Sequence, residues 1–166
     1  MVTASVEQRV WDALREIADP EIPAISVVDL GVIGAVDVGA DRVHVDLLPT
    51  FVGCPAIGVM QRQITERLTE LGVAPRVEVE VSFDPPWTSD RISPAGRERL
   101  RASGFAPPAA APSVSGLDEL AVLSVATCPY CGSRNTTLDN AFGPTLCRSI
   151  HHCEQCRQPF EQFKSL

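Results

Sequence analysis

The chain has 166 residues, of which 45% are hydrophobic, and its 14 basic and 21 acidic residues give a net charge of −7. This length and composition allow one ordinary domain or two small ones with a real core, and the acidic excess argues against a protein that binds nucleic acid through phosphates. No apolar run approaches the roughly 20 residues of a membrane span, and the N-terminus lacks the pattern of a secretory signal. The sequence therefore predicts a cytoplasmic protein that does not associate with membranes.

Hydrophobic spacing predicts a helix followed by a β-hairpin at the start of the chain. The helix begins at Ser5, which forms a capping box with Gln8, and ends at Asp19-Pro20. Its apolar face consists of Val6, Val10, Leu14 and Ile17. Two strands then flank a turn at 39–41, and in the second strand the apolar residues alternate with polar ones, the apolar set being Val43, Val45 and Leu47.

A second helix, a third strand and a short basic helix are predicted next. The second helix runs from Pro55 to Leu71 and is capped by Gly72. The third strand joins the sheet of the hairpin and points four residues inward, namely Val77, Val79, Val81 and Phe83. Trp87 is expected to be a core anchor or a lid. The basic helix over 93–104 is expected to be solvated.

The predicted fold class is α+β, with two domains. Residues 1–105 form a small two-layer α/β domain in the order helix, β-hairpin, helix, strand. Residues 106–116, "APPAAAPSVSG", are a linker rich in Pro, Ala and Ser. Residues 117–166 contain five of the six cysteines and have too few apolar residues to fold on burial alone. This segment is predicted to be a zinc-ribbon-like module.

Two Cys-x2-Cys pairs predict a metal site in that module. They are Cys128 with Cys131 and Cys153 with Cys156, and 21 residues separate the pairs. Four thiolates complete the tetrahedral shell of a zinc ion, and Phe142, Phe160 and Phe163 are expected to form a small core around it. Iron or an iron-sulfur cluster is an alternative on the same ligands, and two disulfides are another, less compatible with a reducing compartment.

Three further residues of the module are candidate auxiliary ligands. Cys147, His151 and His152 lie close to the second pair in sequence. They could replace a cysteine ligand or form a second site, but four cysteines leave no vacancy in a tetrahedral shell. Supporting roles, or a reactive surface thiol in the case of Cys147, are the alternatives.

The sixth cysteine, Cys54, lies in "TFVGCPA" at 50–56, apart from the others. If Pro55 is the first residue of the second helix, Cys54 is its N-cap, where unpaired N–H groups and the helix dipole favour a thiolate. Thr50 is a candidate hydrogen-bonding neighbour across the turn. The alternative is a buried cysteine that fills space beside the sheet. A cysteine hydrolase is disfavoured because the segment offers no His or Lys as a base.

Three acidic residues are candidate neighbours of this thiol. Asp19 and Glu21 lie in the loop after the first helix, and Asp29 lies before the first strand. They would form an acidic rim near Cys54 if helix ends and strand ends meet at one edge of the domain. The alternative is that these carboxylates stabilise turns and caps.

The motifs of both halves resemble known families. "DPEIP", "DLG", "TFVGCPA" and "SFDPPWTSDRIS" resemble the small domain of SufT-type and cytosolic iron-sulfur assembly proteins. Together with "CPYCGS", "FGPTLC" and "CEQCRQPFEQFK", they resemble the PaaD family of the bacterial phenylacetyl-CoA epoxidase system over nearly the whole chain. The resemblance implies that Cys54 is the functional thiol, that Asp19, Glu21 and Asp29 lie in motif loops, and that the paired cysteines match the ribbon knuckles.

The function that this resemblance implies is an accessory role in aerobic phenylacetate degradation. The chain lacks the Glu and Glu-x-x-His set of a di-iron centre and the Gly-rich fingerprint of a dinucleotide-binding domain, so no catalysis of its own is expected. The leading hypothesis is a maturation factor in which Cys54 transiently holds iron or an iron-sulfur cluster for the oxygenase and reductase subunits. The rival is a structural or regulatory subunit bound in the epoxidase complex. A homodimer is an open alternative.

Overall fold

The computed structural model describes residues 5–108 and 125–164. The chain divides into two compact units, the first comprising Met1–Trp87 and Arg91–Ser93, the second Thr88–Asp90 and Pro94–Leu166. Within the described residues there are three α-helices and two β-sheets. The predicted α+β class is confirmed.

The first unit contains the predicted elements in the predicted order. They are α1 (Val6–Arg15), β1 (Ile33–Val38), β2 (Arg42–Leu47), α2 (Ile57–Leu71) and β3 (Arg76–Val81). The sheet has the order β1-β2-β3, in which β1 is antiparallel to β2, as expected for a hairpin, and β3 is parallel to it. The parallel pairing follows from the crossover helix α2, which returns the chain to the same end of the sheet.

Helix α2 packs against the sheet of this unit, and α1 packs against α2. Ser5 Oγ accepts a hydrogen bond from the Gln8 amide at 3.1 Å, so the predicted cap of α1 is confirmed. The apolar residues of β2 are buried, whereas the polar residues between them are partly exposed. The buried core includes Val10, Leu14, Val45, Ile64 and Leu68, each 0% exposed. Because β2 and β3 are parallel, the loops that follow them lie at the same end of the sheet.

The prediction that Phe83 faces inward is wrong. β3 ends at Val81, and Ser82 turns the chain away by donating its hydroxyl to Asp84 O at 2.9 Å. Phe83 is 54% exposed as a result. Trp87 is buried and donates its indole N–H to Leu30 O at 3.1 Å, so it is a core anchor.

The second unit is a four-stranded sheet preceded by a helix. It contains α3 (Pro94–Ala102), β4 (Phe105–Ala106), β5 (Thr136–Asn140), β6 (Arg148–Cys153) and β7 (Pro159–Phe163). The strand order is β4-β7-β6-β5, with β4 parallel to β7 and the remaining pairs antiparallel. The β5-β6-β7 meander brings two segments to one end of the sheet: the segment before β5, and the end of β6 with the turn that leads to β7. Each of these segments contains two cysteines.

The division between the units falls earlier than the predicted boundary at 106–116. Helix α3 belongs to the second unit, and its Leu100 is 0% exposed, so the helix is not wholly solvated. Ala106 is not a linker residue, since it pairs with Gln162 in the sheet and is 1% exposed. The rest of the predicted linker from 109, and the start of the predicted module at 117–124, lie outside the described residues. Over the part of the chain that is described, no helix is both long and apolar enough to cross a membrane.

Candidate functional site

Four cysteine sulfur atoms converge at one end of the second sheet. The Sγ atoms of Cys128, Cys131, Cys153 and Cys156 all lie within 4.8 Å of one another. The Cys128–Cys156 and Cys131–Cys153 pairs are each 3.6 Å apart, close to the ~3.8 Å edge of a tetrahedron with 2.3 Å metal–sulfur bonds. These separations exceed the ~2.05 Å of a disulfide. The residues present therefore fit a tetrahedral metal ion.

The two Cys-x2-Cys pairs adopt the same backbone turn. In the first, the amide of Gly132 donates to Cys128 O at 3.0 Å, and in the second the amide of Arg157 donates to Cys153 O at 2.9 Å. The residue after each pair is left-handed, with φ of +74° at Gly132 and +62° at Arg157. A glycine after the first pair is a sequence signal for this turn, whereas the arginine at the equivalent position after the second pair gives no such signal.

Replacing Arg157 by glycine should stabilise the second turn. A residue with a side chain costs about 1–2 kcal/mol in the left-handed region, and glycine removes this cost. Part of the resulting stabilisation is lost because glycine makes the unfolded chain more flexible. The ion pair of Arg157 with Glu154 is exposed and contributes little. We expect the melting temperature of the metal-loaded protein to rise by a few degrees, about 4–8 °C for each kcal/mol. Gly132→Ala is the matched opposite and should lower it; an unchanged or lower value in Arg157→Gly would contradict the expectation.

The electrostatics of the four thiols favour a cation. Backbone N–H groups, first that of Cys156, donate to the Cys153 sulfur and lower its pKa to about 6. Burial raises the pKa of Cys156 to about 12. One thiolate is thus available at neutral pH to begin coordination, while ionisation of all four together requires a positive ion among them.

A small apolar cluster supports the site. Ala106, Ala126, Cys128, Cys153 and Phe160 are buried against one another, and Cys156 packs on them. Phe160 and Phe163 are 4% and 2% exposed, in agreement with the predicted mini-core. The same prediction is wrong for Phe142, which is 62% exposed and lies 4.9 Å from the ammonium group of Lys164.

The three candidate auxiliary ligands do not join the sulfur cluster. His151 is buried, stacks on Phe160 with a centroid distance of 5.5 Å, and places Nε2 3.0 Å from Ser149 Oγ. Its burial lowers the pKa of the imidazole. His152 lies 3.6 Å from Glu154, and Cys147 lies 3.2 Å from Thr145 Oγ1. Among the described residues, the four cysteines form the only group of three or more His, Cys, Asp or Glu side chains that could hold a metal ion.

Cys54 is half-buried in a turn that precedes α2. Its amide donates to Phe51 O at 3.1 Å, and its carbonyl accepts from the Ile57 amide at 3.4 Å. The prediction that it caps α2 is wrong, because Pro55 and Ala56 form a further turn and the cap residue is Ala56, without a side-chain hydrogen bond. Cys54 therefore stands two residues before the cap position of the helix.

The loop around Cys54 is open and apolar. Gly53 has φ of +103° and no neighbour within 4 Å of the position where a Cβ would stand. Phe51 and Val52 are 39% and 74% exposed. The loop follows β2 and lies at the end of the sheet where β3 also ends. The backbone at Gly53 therefore leaves room for a partner next to the half-buried Cys54.

Two of the three predicted acidic neighbours accept hydrogen bonds within the loops of the first unit. Asp19 is buried and accepts hydrogen bonds from the amides of Glu21 and Ile22, both at 2.8 Å. Asp29 accepts from the hydroxyl of Ser93 at 2.7 Å. Glu21 is exposed, and Thr50 is half-buried beside the Cys54 turn. Asp19 and Asp29 thus stabilise loops, and in the described chain the acidic residues do not combine with Cys54 into a group that could hold an ion.

Family models match both halves of the chain. Residues 7–81 match the model described as iron-sulfur cluster assembly protein, and residues 113–164 match the PaaD zinc beta ribbon domain. A Bacillus anthracis domain of unknown function DUF59 has a crystal structure that matches with a TM-score of 0.53 and 26% identity, over 57% of this chain and 91% of that one. The first half therefore has the DUF59 fold.

Two relatives connect the halves to named proteins. The Fe-S protein maturation auxiliary factor YitW of Bacillus subtilis is 29% identical over 90 residues, which cover 54% of this chain and 87% of YitW. An Escherichia coli protein named as a candidate component of 1,2-phenylacetyl-CoA epoxidase is 38% identical over 157 residues, which cover 95% of this chain and 92% of that protein. The match spans both units, so the chain belongs to the PaaD family of 1,2-phenylacetyl-CoA epoxidase components.

Proposed function

We propose that this protein is a cytoplasmic accessory factor of phenylacetyl-CoA epoxidase that helps to mature the iron or iron-sulfur centres of its oxygenase and reductase subunits. Its own chain performs no catalysis. Family membership supports the pathway, and the relation of the first half to iron-sulfur maturation factors supports the task. The protein acts in aerobic phenylacetate degradation.

The observation that carries the proposal is the separation of two kinds of cysteine site. Four cysteines supply a complete shell for a resident ion, which we propose to be zinc. Iron on the same sulfurs is the alternative that metal analysis would reveal. Cys54 lies outside that shell, in an open loop with exposed apolar neighbours. The first site suits structure, and the second suits transient contact.

Cys54 then handles iron or a cluster as cargo. A cluster held by thiolates needs several ligands, commonly four, and Cys54 supplies one. The remaining ligands come from the donor or the recipient protein, so the cargo is bound only during handover. Such a shared shell explains why a single thiol suffices. The ribbon module docks the client protein in this scheme.

The experiment replaces Cys54 by serine in cells that grow on phenylacetate. We expect the epoxidase subunits from this strain to contain several-fold less iron and labile sulfide, and growth on phenylacetate to slow, while zinc in the variant protein stays unchanged. Cys147→Ser is the matched control and should match the wild type. Cells with Cys54→Ser that grow normally and build fully metallated epoxidase would refute the proposal.

The same strains test the rival role as a stable component of the complex. Exposed Phe51 and Val52 would suit a permanent interface as well as a transient one. If the protein co-purifies with the epoxidase at fixed stoichiometry and Cys54→Ser leaves the iron content unaffected, the structural role is favoured over maturation.

A further inference from the structure

Strand β4 contributes to the same buried cluster as the metal site, although it precedes the first cysteine pair by more than twenty residues. Ala106 is 1% exposed and belongs to the cluster that contains Cys128, Cys153 and Phe160. One strand residue and two of the metal ligands are therefore buried in a single cluster. The position of this strand therefore depends on how the four sulfur atoms are arranged.

Tyr130, which stands between two cysteine ligands, lies against the junction of α3 and β4. A Cβ on Gly104 would stand 2.9 Å from the Tyr130 hydroxyl oxygen, and φ at Gly104 is +85°. The backbone conformation requires glycine at this position, and the absence of a side chain lets the phenol ring lie close to the chain. The turn that places two metal ligands thus also holds the end of α3.

The pairing of β4 with the sheet is short. β4 pairs with β7 through two residues, Phe105 opposite Glu161 and Ala106 opposite Gln162. The guanidinium of Arg148 lies 5.7 Å from the Phe105 ring centroid and 2.9 Å from Glu161. A cavity of about 310 Å³ lies beside β4, and its lining includes Gly104, Phe105, Tyr130, Ile150 and Phe160. A strand of two residues has few pairing hydrogen bonds of its own, so the buried cluster around Ala106 contributes much of what holds it in place.

We infer that metal occupancy of the four-cysteine site controls the docking of α3 and β4. With the ion bound, the cysteines and Tyr130 hold residues 94–106 on the sheet. When the ion is lost, four crowded thiols no longer share a common centre, the cluster around Ala106 loosens, and α3 is released. The inference rests on metal binding at these cysteines, and it extends the metal-dependent module to a segment N-terminal to its cysteine motifs.

Limited trypsin digestion of the full chain tests this inference, because α3 contains cleavable arginines. We expect cleavage after Arg99 and Arg101 to be at least tenfold faster after chelation of the metal than in the zinc-loaded protein, since protease reports the population of the open form. Arg62 in α2 lies in the other unit and should be cleaved at an unchanged rate. Equal protection of α3 with and without the ion would overturn the inference.

Metal content measured in the same samples separates this inference from metal binding itself. If the purified protein binds no ion, the proposed metal site fails; if it binds an ion that α3 does not sense, only the present inference fails. Tyr130→Ala keeps all four ligands and should retain one zinc ion per chain while cleavage in α3 increases. Tyr130→Phe should restore protection. If α3 stayed fully protected in zinc-loaded Tyr130→Ala, the claim that Tyr130 holds α3 on the sheet would be refuted.

Discussion

Replacing Cys153 by serine should abolish metal binding and unfold the second unit. Cys153 is 0% exposed, belongs to the central cluster, and has the thiol with the lowered pKa. A serine hydroxyl does not ionise near neutral pH, so the shell loses its first thiolate. Metal binding at such a site is worth on the order of 10 kcal/mol, more than a module of this size gains from its apolar core.

Metal analysis and circular dichroism check this expectation on full-length protein. We expect bound zinc to fall from about one ion per chain to near zero, and thermal unfolding of the second unit to be lost while that of the first remains. Cys147→Ser is the control, since Cys147 lies outside the sulfur cluster, and it should keep both metal and stability. A Cys153→Ser protein with a full equivalent of tightly bound metal would contradict the assignment of the ligands.

The same experiment distinguishes the chemistry at the site. If wild-type protein purified without oxygen contains iron and sulfide instead of zinc, the four cysteines hold a cluster, and the resident-zinc part of the proposal is wrong. The geometry accommodates a single ion, because the four sulfurs lie within 4.8 Å of one another. We therefore expect a single ion and no labile sulfide in that preparation, and under the proposed function that ion is zinc.

The cysteine site was predictable because its signal is local. Two Cys-x2-Cys turns each aim two sulfurs at a point, and the spacing alone indicates that the turns meet. The order of helices and strands in the first unit was predictable for a similar reason, because apolar and polar residues alternate with a regular period within segments such as β2. The alternation of Val43, Val45 and Leu47 with polar residues leaves only one face for the core.

Exact element boundaries and pairings with distant strands were not predictable. Proline commonly occupies the first position of a helix, so Pro55 suggested that α2 begins there, but a further turn delays the helix to Ile57. Phe83 continues the alternation of β3 in sequence, but the strand ends two residues earlier. Ala106 looks like linker composition, and only its pairing with Gln162 in β7 makes it a core residue.

The loop between α1 and β1 also depends on a distant partner, at Gly31. The backbone there has φ of +73°, and Arg91 fills the space where a side chain would begin, with its carbonyl oxygen and Cβ against the glycine. Arg91 also donates hydrogen bonds from its guanidinium to Gly31 O at 2.9 Å and Ile33 O at 3.0 Å. The loop that contains the "DLG" motif is therefore closed by a contact that tolerates glycine alone.

Gly31→Ala should therefore destabilise the first unit severely. The left-handed conformation costs about 1–2 kcal/mol for alanine, and the forced displacement of the Arg91 backbone costs about 1–3 kcal/mol more. We expect the melting temperature of the first unit to fall by at least about 8 °C, at about 4–8 °C for each kcal/mol, as measured by calorimetry. Gly58→Ala is the matched control: Gly58 lies in α2 with open space around it, and alanine there should be neutral or stabilising by up to about 1 kcal/mol. A Gly31→Ala protein as stable as Gly58→Ala would show that the Arg91 contact is not a constraint on this loop.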